Sequence, residues 1–282
     1  MEFKRCTEVD MNSMYSAFSL GFSDYIIKLE MPQSIFEMRF FGPEGNSLEY
    51  SFIAIDEEKP VGIILGGIKH YDGVKTLRCG TLAVAPEYRG KGISHKLMEL
   101  HREEAIKQQC KQLFLEVIVG NDRAINFYKK LGYEKIYDLS YFSHKDVTSL
   151  SEKCMLQLSI HEIDIKDLRA AAQKSKEIHI NWQNDLDYIE KLDGQINLGA
   201  YVGHKLVGVI SANKNTRINY IWVEENFRHN GIGTNLVKTA AKGLGLSKLS
   251  LGFPNNASVQ GFITHIGFTK DNIAQYEMYD FL

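Results

Sequence analysis

The stretch Val84-Ala85-Pro86-Glu87-Tyr88-Arg89-Gly90-Lys91-Gly92-Ile93-Ser94 decides how this chain is read. It leads from an apolar strand pattern into a helical pattern spanning Gly92 to Gln109, so its glycines fall on a strand-to-helix turn. At such a turn the first helical N–H groups lack partners and the helix dipole is positive, which suits an anion. Glycines at 90 and 92 remove the Cβ atoms that would hold a pyrophosphate off the backbone, and Arg89 and Lys91 add positive charge at the rim. On spacing alone, a plain strand-to-helix turn fits equally well. Neither the dinucleotide fingerprint nor the Walker pattern is satisfied, because the segment has no G-x-G-x-x-G and no Lys-Ser or Lys-Thr closing a G-x-x-x-x-G.

Working outward, the N-terminal side offers a short strand near Glu2 to Cys6, then two helices within Asp10 to Phe41 broken by Pro32. YSFIAI from Tyr50, a turn at Asp56 to Pro60, and VGIILGGI form a hairpin pattern, followed by a strand near Thr76 to Val84. Beyond the glycine turn come the helix, the strand QLFLEVIV, a short helix Asp122 to Leu131 and a strand from Tyr133.

The second half repeats this order. LGAYVG, LVGVISA, INYIWVEENF, a glycine turn, a helix to Leu244, LSLGF and ASVQGFITHIGF follow one another as their counterparts do. Placing VAPEYRGKGISHKLMEL over VEENFRHNGIGTNLVKTA sets Arg89 on Arg228, Gly92 on Gly231, Ile93 on Ile232 and Leu97 on Leu236. NDRAINFYKKLGYE from Asn121 likewise matches NASVQGFITHIGFT from Asn256. Two blocks in the same order indicate a divergent duplication. The polar segment Ser143 to Lys153 reads as a linker, giving expected domains 1–145 and 153–282.

Composition narrows the function classes. Lys plus Arg number 33 and Asp plus Glu 35, a net charge of -2, so no electrostatic excess draws the chain to nucleic acid or an anionic membrane. Cys6, Cys79, Cys110 and Cys154 are scattered, with no C-x-x-C pair, which supports neither a zinc site nor a disulfide framework and fits a reducing cytoplasm. No metal is expected. No apolar run approaches the roughly 20 residues that cross a bilayer.

With these residues in view, Arg89-x-x-Gly92-x-Ser94 resembles the acyl-CoA-binding motif of the GNAT superfamily of N-acetyltransferases, Gln/Arg-x-x-Gly-x-Gly/Ala. Ser94 departs mildly from its last position. Asn121 with Ala124, Phe127, Tyr128 and Gly132 is similar to the family's Asn and the helix flanking the pantetheine arm. The resemblance covers roughly residues 80 to 135 closely. It implies an α/β (α+β) chain of two GNAT-like domains, each a mixed, mostly antiparallel sheet flanked by helices.

It further implies acetyl-CoA as co-substrate and an amine-bearing acceptor. CoA would be bound by Leu82, Ala83, Val84, Arg89, Gly90, Lys91, Gly92, Ile93, Ser94, Asn121, Ala124 and Phe127, the pantetheine lying between splayed strands near Leu82 to Val84 and Leu115 to Val117. The family's chemistry is direct amine attack, with a backbone N–H near Val84 facing the oxyanion and Tyr128 protonating the departing thiolate. Aromatic packing beside Phe127 is the alternative for Tyr128. Glu116 is the candidate base, since strand alternation points it away from Leu115 and Val117; a solvent-facing Glu116 is equally consistent. The second copy keeps Arg228-x-x-Gly231-x-Gly233, yet Ile263 replaces Tyr128, which suits binding without catalysis or a structural copy. Oligomeric state is not legible.

Overall fold

A strand, β1 (Glu2–Arg5), and two helices, α1 (Met11–Gly21) and α2 (Gln33–Phe41), open the chain. Asp10 caps α1 by accepting from the Ser13 N–H at 2.8 Å, and Pro32 takes the N-cap of α2, where its missing N–H leaves no helical bond unmade. β2 (Ser47–Asp56) and β3 (Lys59–Tyr71) form the expected hairpin with a tighter turn. Glu57 and Glu58 close it, both at left-handed φ (47° and 69°), as a two-residue primed turn requires. β4 (Val74–Val84), α3 (Ile93–Lys107), β5 (Gln112–Ile118), α4 (Asp122–Lys130) and β6 (Glu134–His144) complete the first repeat in the order read from sequence.

The second repeat supplies β7 (Leu158–Glu162), α5 (Ile165–Ala172), α6 (Leu186–Ile189), β8 (Gln195–Val202), β9 (Lys205–Asn213) and β10 (Arg217–Val223). It continues with α7 (Ile232–Leu244), β11 (Leu249–Pro254), α8 (Ala257–His265) and β12 (Thr269–Phe281). This computed structural model describes residues 1–175 and 178–282. It divides into unit 1, residues 1–137 with 275–282, and unit 2, residues 138–274.

That division departs from the expected 1–145 and 153–282. In unit 1, β1 to β5 are joined at the open side of β5 by the last residues of the chain, Gln275↔Ile118 through Phe281↔Gln112, antiparallel. In unit 2, β7 to β11 are joined at β11 by Leu139↔Pro254 through His144↔Leu249. Each unit therefore ends on a strand encoded by the other half. Each sheet is antiparallel but for one parallel pair, β4 with β5 and β10 with β11.

Two apolar layers sandwich the unit 1 sheet. Leu77, Cys79, Leu113, Leu115 and Val117 face Leu97, Met98 and Ile125 of the helices on one side, while Ile53, Ile63, Leu65 and Ala83 face Phe18, Phe36 and Phe40 on the other. The expected linker is not free chain. Val147 is fully buried and donates its N–H to the Ser247 carbonyl at 2.7 Å, and Lys238 reaches the Leu150 carbonyl at 2.9 Å. All four cysteines are free thiols. Among the described residues, no helix is long and apolar enough to cross a membrane.

Candidate active site

The fork comes first. The parallel ladder of β4 and β5 runs from Thr76↔Gln112 to Cys79↔Leu115, and beyond it the strands part. The next residue, Gly80, has no partner on β3, because the register jumps from Gly66↔Cys79 to Leu65↔Thr81. Such a bulge bends its strand away from a neighbour. A Cβ on Gly80 would stand 2.2 Å from Asn46 Oδ1, so any larger residue there displaces the buried Asn46 side chain.

At the far end of β4 the chain enters the glycine turn. Gly92 sits at φ 83°, ψ −3° as N-cap of α3, and Gly90 at φ 78°; a side chain at either would meet nothing within 4 Å. The face of the α3 N-terminus is thus open. Gly90, Gly92, Ile93, Ser94, Leu82, Ala83, Val84, Asn121, Ala124, Phe127 and Tyr128 line one cleft of about 630 Å³, together with Asp24 and Tyr25 from the segment after α1. Asn121 caps α4 by accepting from the Ala124 N–H at 3.3 Å, and its side chain is hydrogen-bonded to the Tyr25 hydroxyl.

Arg89 lies in the cleft wall but is not a free cation. Its Nε donates to the Val84 carbonyl at 2.9 Å, and its two terminal nitrogens each donate to an Asp24 carboxylate oxygen at 2.6 Å. Besides lining the cleft, it ties turn to strand. Lys91 stands over the Tyr88 ring at 4.5 Å and does not line the cleft.

Tyr128 is 9% exposed and keeps its ring against Phe127 and Tyr133. Burial, reinforced by the neighbouring Cys79 and Tyr25, raises its phenol well above 10, so it stays protonated throughout the neutral range. It packs among aromatics and also borders the cleft.

Glu116 is the first β5 residue past the fork's last rung, and its side chain is 4% exposed. The solvent-facing alternative is excluded. Arg78 donates to its Oε2 at 2.6 Å and to Glu44 Oε2 at 2.7 Å, while Glu116 Oε1 is buried without a hydrogen-bond partner. Burial raises the Glu116 carboxyl, with Arg78 pulling down and Glu277 and Glu44 pushing up. It is not among the residues that line the cleft. Sequence reasoning missed Arg78 and Glu44. The one available signal was a cation and a glycine, Arg78 and Gly80, interrupting an apolar strand.

Unit 2 repeats the scaffold closely. Gly231 caps α7 at φ 86°, ψ 0°, Arg228 Nε donates to the Val223 carbonyl at 3.1 Å, and Asn256 caps α8 through the Val259 N–H at 3.0 Å. Its cleft of about 660 Å³ includes Arg228, Gly231, Gly233 and Phe262. The differences lie at the chemistry. Ile263 stands where Tyr128 does, the residue past the last fork rung is Gly252 rather than a glutamate, and the bulge residue is Asn219. Gly231 is also covered: a Cβ would sit 2.2 Å from the Lys153 carbonyl oxygen.

Comparison with known proteins gives the family. The family profile described as Acetyltransferase (GNAT) family matches residues 11–133 and again 158–268. The chain belongs to this family. It is a tandem GNAT protein, the profile matching once in each repeat. Curated relatives include "N-alpha-acetyltransferase 30" of Saccharomyces cerevisiae, 34% identical over 112 residues, which is 37% of this chain and 62% of that protein. The namesake from Schizosaccharomyces pombe is 32% identical over 114 residues, 39% of this chain and 74% of that protein. The match thus spans less than two thirds of the budding-yeast relative. Among solved structures, a tandem GNAT protein from the clavulanic acid biosynthesis pathway superposes with TM-score 0.72 at 15% identity, covering 99% of this chain and 98% of its own. A GCN5-related N-acetyltransferase from Sphaerobacter thermophilus gives 0.66 at 10%, covering 95% and 91%. At such identities these two share the GNAT fold and no more.

Proposed function

We propose that this tandem GNAT chain is an acetyl-CoA-dependent N-acetyltransferase whose chemistry resides in unit 1. The observation that carries this is one cleft bordered by the open α3 N-terminus, the splayed β4 edge and Tyr128. In unit 2 the corresponding cleft has no phenol or carboxylate at the matching positions.

The residues fit a CoA thioester. Backbone N–H groups of the first α3 turn hold the pyrophosphate, the bare faces of Gly90 and Gly92 letting it approach. The edge of β4 from Leu82 to Val84 that faces away from β3, past its last rung with β5, accepts the pantetheine arm as an added strand, and the N–H near Val84 faces the developing oxyanion. When bound, the thioester supplies the acetyl group; the chain's residues orient it and handle protons. Tyr128 gives its proton to the departing thiolate. Glu116 is the candidate acceptor of the amine proton; as it is not among the cleft-lining residues, the proton reaches it only through an intermediary.

The acceptor is a primary amine. The α-amine of a polypeptide is the favoured class, since the relatives named N-alpha-acetyltransferase 30 match over about one repeat. Steady-state assays with acetyl-CoA against an N-terminal peptide panel and a small-amine panel test this. Turnover of peptides abolished by Tyr128→Phe supports it, and acetyl-CoA binding with no acetylation in either panel refutes it.

A second role for unit 2 follows from its own residues. Its turn keeps the fold of the first although Lys153 covers Gly231, it lacks the acid, and its cleft of about 660 Å³ reaches Gly233 and Phe262, which favours a binding module for an acyl-CoA over a second transferase.

A further inference from the structure

We propose that unit 2 tells an acyl-CoA from free CoA by the thioester carbonyl, which accepts a hydrogen bond from the side-chain Nδ2 of Asn181. This rests on the reading of unit 2 as an acyl-CoA-binding module given above.

Four buried asparagines, Asn181, Asn184, Asn213 and Asn219, form one run of hydrogen bonds at the unit 2 fork. The parallel ladder of β10 and β11 ends at Ile218↔Leu251, so Asn219 and Gly252 are the first residues beyond it on the two strands. Asn184 bridges them. Its Oδ1 accepts from Asn219 Nδ2 at 3.3 Å, and its Nδ2 donates to the Gly252 carbonyl at 2.6 Å. On the other side of Asn219, Asn213 Nδ2 donates to Asn219 Oδ1 at 2.8 Å, and Asn213 Oδ1 accepts from the Asn215 N–H at 2.9 Å.

The direction of this run is set at both ends. The Asn215 N–H can only donate and the Gly252 carbonyl can only accept, so each carboxamide between them presents oxygen to one neighbour and nitrogen to the next. Asn184 Nδ2 also donates to Asn181 Oδ1 at 2.8 Å, which leaves the Asn181 nitrogen as the last donor. That nitrogen is buried without a hydrogen-bond partner among the described residues, and Asn181 lines the cleft. A buried donor lacking an acceptor is costly, and one at the end of aligned amides is polarised into a stronger donor. The site calls for a ligand oxygen.

The thioester carbonyl is placed to supply it. Arg228 holds the Val223 carbonyl as Arg89 holds that of Val84, so β10 from Asn219 to Val223 leads from the fork to the α7 turn. An acyl-CoA lying along this edge with its pyrophosphate toward the turn carries its thioester toward the fork. Ile218, Leu251 and Phe253 at the fork are buried and apolar and line the cleft, which keeps water from competing for the bond. Free CoA brings a thiol to the same place, and sulfur accepts weakly. Unit 1 has Gly80 and Glu116 at the positions of Asn219 and Gly252, so the Asn219 carboxamide has no counterpart there.

The test is calorimetric titration of acetyl-CoA, S-ethyl-CoA and CoA into Gly92→Glu, which silences unit 1, and into Gly92→Glu with Asn181→Ala. S-ethyl-CoA keeps the two-carbon group and lacks the carbonyl. In Gly92→Glu, acetyl-CoA is expected to bind about tenfold tighter than the other two. Adding Asn181→Ala is expected to bring acetyl-CoA down to their level while theirs stay within about twofold. Equal affinity for acetyl-CoA and S-ethyl-CoA in Gly92→Glu, or a preference that survives Asn181→Ala, overturns the proposal and leaves unit 2 a CoA site. Binding of none of the three refutes the reading of unit 2 itself, a distinct outcome that takes the proposal with it. Should Asn181→Ala not fold, nitrogen-15 NMR of the Gly92→Glu protein decides. The Asn181 carboxamide protons are expected to move downfield with acetyl-CoA and to stay in place with S-ethyl-CoA; the same response to both overturns the proposal.

Discussion

Arg89 clamps Asp24 with two hydrogen bonds of 2.6 Å, across 65 residues of sequence, while its Nε holds the Val84 carbonyl. One guanidinium thereby fixes the glycine turn to both the strand end and the segment after α1. Its counterpart Arg228 keeps only the strand-end bond to Val223 among the hydrogen bonds described. Arg89→Ala is expected to cost about 2 kcal/mol, because the Val84 and Gly21 carbonyls lose their donor as well. Asp24 is half exposed, so Asp24→Ala destabilises less and raises the acceptor KM more than the acetyl-CoA Kd. Urea unfolding and steady-state kinetics of both variants separate the two effects.

Tyr128→Phe removes one hydroxyl from a packed ring. The expected outcome is a fall in kcat of about a hundredfold with acetyl-CoA affinity within twofold of wild type. Because burial raises this phenol well above 10, kcat is also expected to show no decline from Tyr128 ionisation up to pH 10. A pH profile of the wild type checks that independently.

Sequence made the scaffold legible because its signals are local: Pro32 breaking two helices, Glu57-Glu58 turning a hairpin, Gly92 capping α3 and Asn121 capping α4. It did not make strand partners legible. Alternation in Tyr276 to Phe281 and in Leu139 to His144 specifies a buried face, not which sheet supplies the neighbour, and both strands pair outside their own repeat. For the same reason Glu277 could not be linked to Glu116. The pairing of Arg89 with Asp24 was not legible either, because a cation beside a phosphate turn looks the same on paper whether or not a carboxylate from elsewhere pairs with it.

The two glycine turns call for different probes. Gly92→Glu adds a carboxylate in open space, at the cost of a strained φ of 83°, and is expected to abolish acetyl-CoA binding in unit 1 with about 1 kcal/mol lost in stability. Gly231→Glu drives its side chain into the Lys153 carbonyl and would report a packing defect instead. Gly261 borders the unit 2 cleft with nothing within 4 Å of an added Cβ, so Gly261→Glu is the cleaner test there. Calorimetric titration of acetyl-CoA is expected to show two sites in wild type, each removed by its own variant.

His101 gives the protein an acid-sensitive core. It is fully buried in α3 with neither ring nitrogen hydrogen-bonded, and burial lowers its pKa to about 3, against a small opposing pull from Glu104. Unfolded, the same imidazole titrates near 6.5. The folded state therefore binds fewer protons than the unfolded chain between those values. Stability from this group is full above pH 6.5 and declines as pH falls, by about 1.4 kcal/mol per unit once well below it. Urea midpoints from pH 8 to pH 5 are expected to fall in wild type and to fall less steeply in His101→Leu, which cannot take up the proton on unfolding. Parallel slopes for the two proteins would remove His101 as the cause.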